Sequence, residues 1–168
     1  MTEDDRRFAL RMIPYGVHVL TARHPGTDEV AAATVSWVTQ TSFEPPLLAV
    51  ALRPTSAAYR CLRAANGFVL HNLGKEDKDE AWTFRRPAVP DEVGLSGFRV
   101  STAHNGAPLL FNAVAAIECH VHAVFEFGDH HTIVGEVIIA HVRLPPQGRP
   151  DEMMLHLAEL GPTIFYGG

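Results

Sequence analysis

"AAIECHVHAVFEFGDHHTIVGEVIIAHVRL", Ala115 to Leu144, is the stretch that decides the fold. Two runs rich in β-branched and aromatic residues flank Gly128-Asp129, the signature of a hairpin between two long antiparallel strands. Strict alternation puts Ile117, Cys119, Val121, Ala123 and Phe125 of the first run on one face. Glu118, His120, His122 and Glu126 fall on the other.

Upstream, the same reading gives more strands and only short helices. Thr2 with Asp5 three residues on resembles a helix-capping pair, and the helix should stop near Met12, ahead of Pro14. "YGVHVLTA" alternates as a strand, "HPGTDE" is a turn, and a second strand begins near Val30. "LLAVAL" after Pro45-Pro46 is a short buried strand. "TSAAYRCLRAA" then carries Ala58, Leu62 and Ala65 at helical spacing. "GFVLHNL" reads as a strand and "KEDKDEAWTF" as a helix ending before Pro87. Irregular chain then leads to a short strand near Phe98. The pattern is mainly β: an antiparallel barrel with peripheral short α-helices, not a doubly wound sheet. With no repeat and no low-complexity linker, residues 1–168 read as a single domain.

Composition removes several function classes. The chain has 168 residues, 46% hydrophobic and 20% charged, as a soluble globular protein has. Its net charge of −5 gives no footprint for nucleic acid or an anionic membrane. No apolar run approaches the roughly 18 to 20 residues that span a bilayer, and the acidic start "MTEDDRRFALRM" is no signal peptide. Cys61 and Cys119 lie far apart without a CxxC, which suits buried free thiols in a cytoplasmic protein.

Candidate chemistry concentrates in "ATVSWVTQTSFEPP", Ala33 to Pro46, with five hydroxyls (Thr34, Ser36, Thr39, Thr41, Ser42) among Val35, Trp37, Val38 and Phe43. A strand that dissolves here into irregular chain leaves backbone groups in need of partners. Local hydroxyls in a Ser/Thr-rich turn would serve. So would a flat heteroaromatic ligand, such as an isoalloxazine, with donors and acceptors along one edge. Ser56 either caps the following helix or joins the helix N-terminus in holding a phosphate, which Arg53 and Arg85-Arg86 would also suit. His120, His122 and Glu126 approach the HxHxxxE spacing of a divalent-metal site, against a structural or solvated face. His130 and His131 at the hairpin are either plain surface or donors to a bound anion or carboxamide. Gly-x-Ser-x-Gly and Gly-x-Gly-x-x-Gly are both absent.

Taken together, four stretches resemble the flavin reductase-like domain family, an FMN-binding split barrel. They are "AATVSWVTQTSFEPPLLAVAL", "GFVLHNL", "GAPLLFNAVAAIECHV" and "GDHHTIVGEV", in the family's order across about Tyr15 to Val142, and the ending "FYGG" is similar to one branch. The resemblance implies FMN, or FAD, with Thr34, Val35, Ser36 and Trp37 meeting the isoalloxazine. It implies Ser56 and Ala57 at the phosphate with Arg86 as a further phosphate partner, and Asp129-His130 near a nicotinamide pocket. The implied activity is NAD(P)H-dependent flavin reduction, hydride passing from nicotinamide to flavin N5 with no catalytic side chain. The family also implies a homodimer, and a flavin-dependent monooxygenase that takes the reduced flavin. Two rivals stand beside it: a non-catalytic FMN-binding or electron-carrier protein, and the metal-binding barrel of His120, His122 and Glu126. Four positions depart from the family pattern. Ala32 stands where Gly is frequent, Ser36 replaces a frequent Asn, Ala58 a common Thr, and His71 an apolar residue.

Overall fold

The computed structural model describes residues 2–167. Helix α1 (Glu3–Arg11) opens on a reciprocal cap: Thr2 Oγ1 accepts the Asp5 amide at 3.1 Å, and the Asp5 carboxylate accepts the Thr2 amide at 2.9 Å. None of its residues is buried, so local capping and not a core holds it.

The strands follow as β1 (His18–Arg23), β2 (Val30–Val35), β3 (Val38–Ser42), β4 (Leu47–Leu52), β5 (Gly67–Asn72), β6 (Val100–Thr102), β7 (Pro108–Leu110), β8 (Ala115–Phe125) and β9 (His131–Val142). Helices α2 (Ala57–Ala65) and α3 (Lys78–Thr83) interrupt them, and 3-10 turns occupy Pro150–Met153 and Leu157–Leu160. Seven strands form one sheet in the order β2-β1-β5-β8-β9-β4-β3, and β6 with β7 forms a separate ribbon. Every pairing is antiparallel.

The edge strands β2 and β3 are consecutive in the chain and joined by Ser36-Trp37 alone. Laid flat, a seven-stranded sheet would hold its edges about 29 Å apart, whereas three Cα steps reach about 11 Å at most. The sheet must therefore curl until its edges meet at one corner, giving a barrel that stays split between β2 and β3. That corner becomes the site.

Inside the curl, α2 buries Ala58, Tyr59, Cys61 and Leu62 against Leu20, Val50, Phe68 and Ile133. On the outer face, Val17, Val19 and Leu73 pack with Phe84, Leu95 and Leu155. β1 is thus covered on both sides, with Val19 and Leu20 each fully buried.

Two sequence expectations need correction. The chain after Trp37 is not irregular. Val38, Thr39 and Gln40 pair with Val50, Ala49 and Leu48, because Thr suits a strand whose other side is open to water. Ser36-Trp37 separates β2 from β3, and the β3–β4 register shifts once more between Gln40 and Ser42. The alternation along β8 also fails at His122. This residue is inserted between the pairs Val121↔Gly135 and Ala123↔Val134, and such a bulge reverses the side-chain phase beyond it. Val124 takes the core position expected of Ala123, and Phe125 is left 49% exposed.

Candidate functional site

Two ties shape the β2–β3 corner. The Thr34 amide donates to Phe84 O at 2.9 Å and Thr34 Oγ1 donates to Ala81 O at 2.7 Å, fixing β2 to the end of α3. On the other side, Ala51 donates its amide to Trp37 O at 3.0 Å. Between them, Ser36 is buried and the Trp37 indole is partly exposed.

Trp37 stands against two rings. Its centroid lies 4.8 Å from that of His130 and 5.2 Å from that of Tyr166. Asp129 accepts from His130 Nδ1–H at 2.9 Å, and in that tautomer Nε2 accepts from the Tyr166 hydroxyl at 2.7 Å. Burial pushes the Tyr166 phenol above its usual range, against the pull of nearby Arg53, so the hydroxyl keeps its proton. Gly167 donates its amide to Ser36 Oγ at 3.0 Å. The Arg53 guanidinium sits 5.7 Å above the Tyr166 ring.

Beside these groups α2 begins. Ser56 Oγ accepts the Tyr59 amide at 3.1 Å, while the amides at the helix start have no partner within the helix and present its positive end. Ala57 is its first residue.

These elements enclose a cavity of about 80 Å³ whose lining includes Thr34, Val35, Ser36, Trp37, Arg53 and Ser56, capped by Tyr166. Six residues singled out in the sequence, Arg53 among them, thus meet in one place, with Ala57 next to Ser56 and His130 against the Trp37 ring. The Thr34 hydroxyl and amide both go to the end of α3 and not to the cavity. Arg86 does not join them. It lines a wider, open recess with Trp82, Arg85 and Ser96, and Arg53 takes the cationic place instead. Tyr166 and Gly167 escaped the sequence reading as site residues. Their contact is close: a Cβ on Gly167 would lie 3.0 Å from Ser36 Cβ, and glycine meets Ser36 without that crowding.

The metal alternative comes apart in the structure. His120 Nε2 pairs with Asn66 Nδ2 at 3.1 Å, His122 Nδ1 lies 3.6 Å from Glu136, and Glu126 meets Arg63 at 3.1 Å. Among the described residues, no group of three or more His, Cys, Asp or Glu is placed to hold a metal ion. Both cysteines are buried and free, and burial pushes the Cys119 thiol up to about 12, far from a nucleophile's range.

The model of the flavin reductase like domain matches residues 10–161. The chain belongs to that family. It is 34% identical over 131 residues to the stachydrine N-demethylase reductase subunit of Rhizobium meliloti, covering 78% of this chain and 55% of that one. It is 35% identical over 136 residues to the actinorhodin polyketide dimerase of Streptomyces coelicolor, covering 81% and 75%. The chain therefore spans little more than half of the first relative's length and three quarters of the second's. Among solved structures, the NADH:FAD oxidoreductase of Streptomyces globisporus C-1027 superposes with a TM-score of 0.72 at 28% identity, covering 84% of this chain and 86% of that one.

Proposed function

We propose that this chain is an NAD(P)H-dependent flavin reductase that takes FMN, or FAD, at the β2–β3 corner. The observation that carries the reading is the meeting of three complementary surfaces in one cavity: the broken ladder at Ser36-Trp37, the Trp37 indole, and the α2 start beside Arg53. The first offers hydrogen-bonding groups to a ring edge, the second a wall that excludes water, and the third a positive pole for phosphate. The donor set fits a flavin. With the Tyr166 ring in place the cavity measures about 80 Å³, so the fit requires that ring to move.

When bound, the flavin supplies the chemistry by accepting hydride from the nicotinamide at N5. The protein's residues position and shield. Backbone at 36–37 with Ser36 Oγ orients the ring, and Arg53, Ser56 and Ala57 fix the phosphate end. Asp129 holds His130 so that Nε2 can accept a carboxamide N–H and set the nicotinamide face. No side chain acts as acid or base.

The same reading takes the chain as one cytoplasmic domain, working as a homodimer that hands reduced flavin to a flavin-dependent monooxygenase. Phe8, Leu10, Met12 and Ile13 are all exposed and suit a second copy. A relative named as the reductase subunit of an N-demethylase supports a partner protein that receives the electrons. No helix among the described residues is long and apolar enough to cross a membrane. Purified protein should oxidise NADH or NADPH at a rate that saturates with added FMN or FAD. Flavin binding without nicotinamide oxidation would assign the carrier alternative instead.

A further inference from the structure

We infer that Tyr166-Gly167 is a built-in competitor of the flavin, an internal ligand that closes the β2–β3 corner until the cofactor displaces it. This rests on the flavin reading above and adds a closed state to it. Three contacts hold Tyr166 and Gly167 at the corner through groups that the flavin or the nicotinamide needs, and the Arg53 guanidinium over the Tyr166 ring adds a fourth. Gly167 N–H takes Ser36 Oγ at 3.0 Å, the Tyr166 ring faces Trp37 at 5.2 Å, and the Tyr166 hydroxyl takes His130 Nε2 at 2.7 Å.

The occupant imitates what it replaces. A ring carrying one polar group meets the indole at an interplanar angle of 59°, and a backbone amide supplies the edge donor. The space left, about 80 Å³, is a fraction of the roughly 300 Å³ at which cofactor pockets begin.

The segment is lightly anchored outside the corner, where Ile164 packs on the outer-face core and the Arg11 guanidinium lies 4.1 Å from the Phe165 ring centroid. Pro162–Gly167 belongs to no strand or helix, and Pro162, Thr163 and Phe165 are exposed. It leaves Gly161 at φ 143°, a left-handed conformation that makes this residue the natural pivot. Residues 34–37, by contrast, are pinned to Phe84, Ala81 and Ala51. The mobile partner is therefore the segment and not the corner.

A closed majority weakens apparent flavin affinity by the fraction that is open. Equilibrium FMN titration of the full chain tests this through two independent variants. Tyr166→Ala removes the ring and its hydroxyl. Gly167→Ala places a Cβ 3.0 Å from Ser36 Cβ and 3.1 Å from its N and Oγ, and should loosen the segment's hold on the corner without touching the tyrosine. Both should bind FMN about tenfold more tightly than the unaltered chain, as expected where about one molecule in ten is open. In the unaltered chain, FMN should speed hydrogen exchange at the Gly167 amide. Unchanged or weaker binding in both variants, with FMN leaving that exchange unchanged or slower, overturns the competitor and leaves the flavin site standing. If neither the chain nor the variants bind FMN or FAD, the flavin reading fails, and this inference with it.

Discussion

His71 sits where the family pattern has an apolar residue, and its neighbours fix its tautomer. Nδ1–H donates to Val19 O at 3.0 Å and Nε2 accepts the Leu110 amide at 3.0 Å, so the ring sews β1 to β7 as a neutral group. Leucine there would strand a buried amide, and His71→Leu should lower unfolding free energy by about 2 kcal/mol in urea titrations. Burial depresses the imidazole from 6.5 to about 4. Between those values the unfolded chain binds a proton that the native one refuses. His71's contribution is thus complete above pH 6.5 and fades as pH falls toward 4, at up to about 1.4 kcal/mol per pH unit. His71→Leu should flatten that acid slope in stability measured against pH. Arg53 carries a second prediction at this scale. Arg53→Ala should weaken FMN binding about tenfold relative to riboflavin, which lacks the phosphate. Comparing the two ligands within one variant cancels any change in Tyr166 closure. An unchanged ratio would move the phosphate elsewhere, with the Arg85-Arg86 recess as the next place to look.

At the scale of elements, Gly135 shows how tightly the β8–β9 ladder lies on the core. A Cβ there would meet the Phe68 ring at 2.7 Å and Cys119 Cβ at 2.9 Å, and Phe68 is fully buried with nowhere to retreat. Gly135→Ala should destabilise by about 1–3 kcal/mol, seen as a lower Tm. Thr2→Ala, which breaks the α1 cap, should barely move the same Tm, because α1 buries nothing. The contrast explains what the sequence could reveal. Long periodic runs such as 131–142 announce themselves, as do capped starts at Thr2 and Ser56, since each signal is local. The bulge at His122 is set by the register of β9, and β7 by its pairing with β6 and the His71 contact. Such choices are made across the chain and leave little trace in a window of ten residues. The site behaves the same way. Ser36, Trp37 and Ser56 sit beside local anomalies, a hydroxyl-rich break and a helix start. Tyr166 reaches them from far along the chain, and Arg53 and Arg86 look alike in sequence because charge is visible there and direction is not.

For the molecule as a whole, one topological fact organises the rest. Joining the two edges of a seven-stranded sheet by Ser36-Trp37 forces the curl, and the curl gathers the ladder break, the α2 start and the β8–β9 hairpin at one corner. The Ser36 and Trp37 amides find no backbone partner among the described residues where the sheet is split, and this leaves them to a ligand. Tyr166-Gly167 fills the same vacancy from within. The most direct measurement mixes the protein anaerobically with FMN and either NADH or NADPH and follows the loss of oxidised flavin colour. Bleaching much faster than in the same mixture without protein is the predicted result. Bleaching at the protein-free rate with both nicotinamides would contradict the account.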